Sequence, residues 1–146
     1  EFLKHHSRSL IFSASMTPAS AASVLAALEI LKAEPERIDR LWENTHYAIN
    51  RFRDLGFEIG HTASPIIPLY VRDNYKTFAL STQAFREGVF INPVVSPAVP
   101  SEESLIRFSL MATHTIGQID RAVDILYRAA KQLGILDRQI ETVDAV

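Results

Sequence analysis

The sequence predicts an α+β fold, with helices packed on one face of a short sheet, and three observations carry the prediction. Apolar residues recur at helical spacing in four stretches, near residues 18–33, 36–55, 74–88 and 115–133. Short apolar runs too brief for helices stand between them, the clearest being Ile66-Ile67-Pro68-Leu69-Tyr70-Val71, Val89-Phe90-Ile91 and Leu105-Ile106-Arg107-Phe108-Ser109-Leu110. The resulting order is helix, helix, strand, helix, strand, strand, helix, with no internal repeat and no heptad array. Helices that each bury one stripe on a sheet too short to close on itself give a two-layer α+β unit.

Each element has a local reason. Glu1-Phe2-Leu3-Lys4-His5-His6 is neither a methionine start nor a signal peptide and has the character of the tail of an amphipathic helix, so the chain is expected to begin mid-protein. Thr17-Pro18 opens a helix, threonine as cap and proline in the first turn. Val24, Leu25, Leu28 and Leu31 then keep helical spacing among small residues, which suits close packing against another chain or domain. Glu34-Pro35-Glu36 interrupts that helix. A second follows with Ile38, Leu41, Trp42, Ala48, Ile49 and Phe52 as its expected core face, capped by Gly56. Residues 57–59 are expected as a short strand. Pro68 directs its strand to a sheet edge or a bulge. Asn74 is the expected cap of a helix that ends at Gly88, and 89–91 form the next strand. Residues 92–100 hold three prolines and cannot be helical. The last helix starts near Thr115 and carries Ile119, Ala122, Val123, Leu126, Ala130 and Leu133.

Composition narrows the function. The 146 residues amount to one domain's worth of chain, 47% hydrophobic and 22% charged, with a net charge of −2. No basic surplus points to nucleic acid. The absence of cysteine excludes disulfides, thiolate metal sites and cysteine nucleophiles, and fits a cytoplasmic location. No apolar run approaches the roughly 20 residues that cross a bilayer.

Two polar features stand out on this plain scaffold. Arg107 lies in a strand, where alternation puts it on one face with Leu105 and Ser109 and puts Ile106, Phe108 and Leu110 on the other. A guanidinium stays charged and is costly to bury alone, so if Arg107 is inside, it must meet an anion: an Asp or Glu of this chain, or a ligand carboxylate. The second feature is the pair Ser13 and Ser15 just before a helix start, where hydroxyls and free N–H groups either cap the helix or cradle an anion. The proline-rich loop 92–100 is either a wall of a site or a rigid connector. His5, His6, His46, His61 and His114 show no metal-ligand spacing, although His114 could line a site that Arg107 faces. No Walker loop, nucleophile elbow or dinucleotide fingerprint is present.

Four segments together resemble the α-oxoamine synthases: Phe12-Ser13-Ala14-Ser15-Met16-Thr17-Pro18, Ser64-Pro65-Ile66-Ile67-Pro68, Glu87-Gly88-Val89-Phe90-Ile91, and Leu105-Ile106-Arg107-Phe108-Ser109 through Ala112-Thr113-His114-Thr115. The resemblance covers nearly all of the chain except its last dozen residues. It implies the small C-terminal domain of the aspartate-aminotransferase-like fold, with a short, mostly antiparallel sheet. On that reading residues 1–16 are the end of a linker helix and an extended segment from a large domain, 17–136 the small domain and 137–146 a tail. The family uses pyridoxal 5'-phosphate, works as homodimers and condenses an acyl-CoA with an amino acid. The Schiff-base lysine would lie upstream, so this chain alone is expected to be inactive, with no catalytic residue of its own. Carried over, Arg107 binds the substrate carboxylate, and Ser13 and Ser15 belong to the segment that reaches the cofactor phosphate of the partner subunit.

Within the family, the loop 92–100 is most similar to bacterial serine palmitoyltransferases, which form 3-ketosphinganine. The 8-amino-7-oxononanoate synthases and 2-amino-3-ketobutyrate CoA ligases are the alternatives. Many relatives carry Arg-Pro-Pro-x-x-Pro where this chain has Val95-Ser96-Pro97-Ala98-Val99-Pro100, so a mechanism that needs the loop arginine does not carry over. A reading of another class is a stand-alone α+β module that binds a small carboxylate or a partner protein.

Overall fold

A computed structural model describes residues 1–8 and 16–136. Its elements are helix α1 (Phe2–His6), α2 (Pro18–Ala33), α3 (Glu36–Asp54), strand β1 (Ile66–Tyr70), α4 (Asn74–Arg86), β2 (Asn92–Val94), a 3-10 turn (Ser101–Glu103), β3 (Leu105–Ser109) and α5 (Ile116–Gln132). The chain forms two compact units, Glu1–Arg37 and Ile38–Val146.

In the first unit, α2 begins as its sequence requires. Pro18 occupies the first turn and the Thr17 hydroxyl accepts from the Ser20 backbone N–H at 3.2 Å. No residue of α2 is buried; Leu25 is 62% exposed, and Val24, Leu28, Ile30 and Leu31 are exposed with it.

The second unit holds the sheet, ordered β1-β3-β2 with both pairings antiparallel. This is the expected α+β layer. Pro68 and Pro93 both sit in edge strands, where a missing N–H costs no ladder bond. The register sets Ile67 opposite Phe108 and Leu69 opposite Ile106. These four are buried, while Ile66, Arg107 and Ser109 on the reverse face are exposed. Ile49 and Phe52 of α3, Leu80 and Ala84 of α4, and Ile119, Val123 and Leu126 of α5 complete the core. Phe52 is its hub, with its ring edge-on to Phe57 at 5.2 Å and to Phe108 at 5.0 Å.

Helix α5 carries a full capping box: the Thr115 side chain accepts from the Gln118 N–H, and the Gln118 side chain accepts from the Thr115 N–H at 2.9 Å. Helix α3 ends into Gly56 at φ +81°, a conformation that glycine adopts without the Cβ penalty. On the flank of α3 and α5, Asp120 accepts from the Tyr47 hydroxyl at 2.7 Å and from Arg51 Nε at 3.1 Å. The hydrogen bond to Asp120 raises Tyr47 above the ordinary phenol value.

Four local expectations are corrected. Residues 57–59 form no strand; Glu58 O accepts from the Tyr70 N–H at 2.9 Å, and Phe57 and Ile59 serve the core. The strand expected at 89–91 pairs at Asn92–Val94, because α4 runs into Glu87 and Gly88 (φ +90°) and the chain needs several residues to reach β3. The cap of α4 is Asp73, which accepts from the Lys76 N–H at 2.8 Å, so Asn74 is the first helical residue. Ile38 and Trp42 are exposed, and the buried positions on that part of α3 are Asn44 and Thr45.

Candidate functional site

The site is built on β3, the central strand. Its alternation turns Ile106 and Phe108 into the core and leaves Arg107 on the opposite, open face. Cross-strand register completes a row there: Pro68 of β1 faces Arg107 on one side, Asn92 of β2 on the other. Arg107 is exposed and, among the described residues, makes no ion pair or hydrogen bond. It is therefore not inside this chain, and the internal ion pair considered from sequence is not formed among the described residues. Some other arginines are engaged, whereas the side chains of Arg40, Arg53, Arg86 and Arg121, like that of Arg107, make no ion pair or hydrogen bond among the described residues. Arg72 forks onto Glu58 and donates to Glu102 O at 3.1 Å, and Arg51 holds Asp120 and Asp124. A guanidinium held without a partner on a rigid central strand has its full donor fork available to a planar anion.

Two segments adjoin these strands in sequence. The loop after β2 is tied to the start of α4, where Asn74 Oδ1 accepts from the Ser96 N–H at 3.4 Å, and it enters the 3-10 turn before β3. Beyond β3 the chain turns through residues 111–114. Asn44, buried on α3, donates to Met111 O at 3.1 Å and to His114 O at 2.9 Å, and His114 Nδ1 accepts from the Met111 N–H at 3.2 Å. Sequence reasoning missed Asn44. The available signal was a polar residue set among the apolar positions of α3. Replacing Asn44 with alanine is expected to lower stability by about 1–3 kcal/mol, measured by denaturant unfolding, with the 111–114 turn becoming the most readily exchanging part of the neighbourhood.

His114 lines a cleft of about 370 Å³ with Phe90, Ile91, Phe108, Ser109, Gln118 and Arg121. Arg107 is not among its walls, so the structure does not join His114 and Arg107 in one cavity. Ser13 and Ser15 lie outside the described residues. Of the lysines, Lys76 donates to Gly134 O at 2.9 Å and Lys131 lies over the Tyr127 ring at 5.0 Å. Both are taken up by local structure.

The model for aminotransferase class I and II matches residues 1–126. The chain belongs to this family. As an aminotransferase class I and II chain it is 58% identical to a serine palmitoyltransferase of Sphingobacterium spiritivorum over 135 residues, 92% of this chain and 34% of the relative. An 8-amino-7-oxononanoate synthase of Symbiobacterium thermophilum is 40% identical over 136 residues, 93% of this chain and 35% of the relative. Among solved structures, the serine palmitoyltransferase of S. paucimobilis with bound PLP–myriocin aldimine superposes with a TM-score of 0.78 at 26% identity, covering 88% of this chain and 33% of that one. The fold is thus that of part of an aminotransferase-like serine palmitoyltransferase. The chain spans about a third of the length of the relatives it matches.

Proposed function

We propose that the full-length protein is a pyridoxal-phosphate-dependent acyltransferase that condenses palmitoyl-CoA with L-serine to give 3-ketosphinganine. The identity gap carries this reading: 58% to a serine palmitoyltransferase against 40% to an 8-amino-7-oxononanoate synthase over the same stretch. The length of those relatives favours part of an enzyme over a stand-alone binding module. Residues 17–136 would then form the small domain, with 1–16 leading in from the larger one, in a cytoplasmic homodimer. No helix among the described residues is long and apolar enough to cross a membrane.

Arg107 would grip the serine carboxylate. Its open face on the sheet, its lack of a partner among the described residues and the fork geometry of guanidinium all suit that task. A carboxylate fixed in two directions fixes the rotation about the amino acid's Cα, and this selects the bond that is broken. Lys76 and Lys131 are already engaged by local contacts, which favours a cofactor seat elsewhere in the protein. That seat is assigned to the rest of the protein, with Ser13 and Ser15 reaching the phosphate held by the partner subunit. Pyridoxal phosphate, when bound, supplies the electron sink.

A substrate panel tests the reading. Palmitoyl-CoA and shorter acyl-CoAs are offered with serine, glycine and alanine to the full-length protein. Preference for palmitoyl-CoA with serine supports it. Preference for pimeloyl-CoA with alanine, or acetyl-CoA with glycine, moves the protein to the alternative branches. The chain of 146 residues alone is expected to give no turnover.

A further inference from the structure

We infer that Asn92 is a second binding residue for the carboxylate that Arg107 takes, and so a determinant of selectivity for amino acids over simple amines. The inference rests on the reading of Arg107 given above. Asn92 is the residue of β2 in direct register with Arg107 on the antiparallel β2–β3 pair. Directly opposed residues project from the same face with Cβ atoms about 4.5–5.5 Å apart. Both side chains are exposed there, and among the described residues neither has a hydrogen-bond partner.

The flanks of Arg107 are chemically unequal. On the β1 side Pro68 offers no donor and presents a pyrrolidine ring. On the β2 side Asn92 offers two amide N–H donors. A carboxylate received end-on by a guanidinium keeps a lone pair free on each oxygen. The oxygen nearer β2 finds the Asn92 amide, while the oxygen nearer β1 meets only the proline ring. The carboxylate thereby gains a further hydrogen bond on its β2 side, which a lone guanidinium would not supply. The next loop adds no cation, since Val95-Ser96-Pro97 follows β2, so a neutral amide is the polar neighbour that this face provides. Ser109, two residues along β3 on the same face, is opposed by Ile66 and stands a full pleat repeat away.

The test uses the full-length protein with its cofactor. The variants are Asn92→Ala, the isosteric Asn92→Asp, and Arg107→Ala. L-serine and ethanolamine, which is serine without its carboxylate, are titrated in parallel for equilibrium affinity, and KM is measured for palmitoyl-CoA. Asn92→Ala is expected to weaken L-serine about tenfold. Asn92→Asp sets a like charge beside the carboxylate and is expected to weaken it about a hundredfold. Neither change should move the ethanolamine affinity or the KM for palmitoyl-CoA. Equal losses for serine and ethanolamine would overturn the inference, because they would mark a structural effect. Unchanged serine affinity in both Asn92 variants, with a large loss in Arg107→Ala, would overturn it while leaving the Arg107 role standing. Unchanged serine affinity in Arg107→Ala would remove the reading of Arg107 and this inference with it.

Discussion

Replacing Arg107 with alanine in the full-length protein is expected to raise the KM for L-serine by about a hundredfold or more, since two charge-assisted hydrogen bonds are lost together. The side chain is exposed on the open sheet face and makes no hydrogen bond or ion pair among the described residues, so thermal stability should stay near that of the parent. Arg107→Lys should recover only part of the affinity, because an ammonium supplies charge without the planar fork. The KM for palmitoyl-CoA should change little. Steady-state kinetics with each substrate varied in turn makes the measurement, and an unchanged KM for serine would remove Arg107 from the binding site.

Phe52→Ala is expected to have the largest effect on stability. Phe52 is fully buried and touches Phe57 and Phe108 edge-on. Truncation removes the buried ring and leaves a cavity that rigid neighbours only partly fill, a loss of about 3–5 kcal/mol. The cavity would lie directly behind β3, since Phe108 is the residue after Arg107 and points the opposite way. Weakened serine binding should therefore accompany the loss of stability, although Phe52 is on the far side of the strand. Phe85→Ala is the control: that ring is 65% exposed on α4 and its loss should change stability by less than about 0.5 kcal/mol. Denaturant midpoints of the two variants decide the matter.

The contrast between Phe52 and Phe85 shows where sequence reasoning stops. Both are phenylalanines on helices with apolar neighbours at helical spacing. The spacing of α3 already sets Phe52 on its core face, whereas for Phe85 only the tertiary packing of α4 shows that the ring is outside. The same holds for Asn44. It is a polar position between apolar ones on α3, and it clamps the turn after β3 through two carbonyls 67 and 70 residues away in sequence. No local pattern encodes a partner at that distance. Element boundaries failed for a related reason. Asp73 and Asn74 are both good caps, and the choice between them depends on which aspartate or asparagine oxygen reaches an N–H three residues on.

What the sequence determined by itself is the helices and the strands around Ile66–Tyr70 and Leu105–Ser109 in their order, the helix stops at Pro35 and Gly56, the restriction of Pro68 to a sheet edge or a bulge and the facing of Arg107 away from Ile106 and Phe108. All of these follow from short-range sterics and a two-residue side-chain period, which operate within a few residues of chain. The tertiary structure alone decided that β3 is central, that Asn92 and Pro68 flank Arg107, and that Arg107 has no partner among the described residues. Those facts depend on how strands far apart in sequence pair, and pairing is settled by burial of one face of the whole sheet rather than by any segment of it.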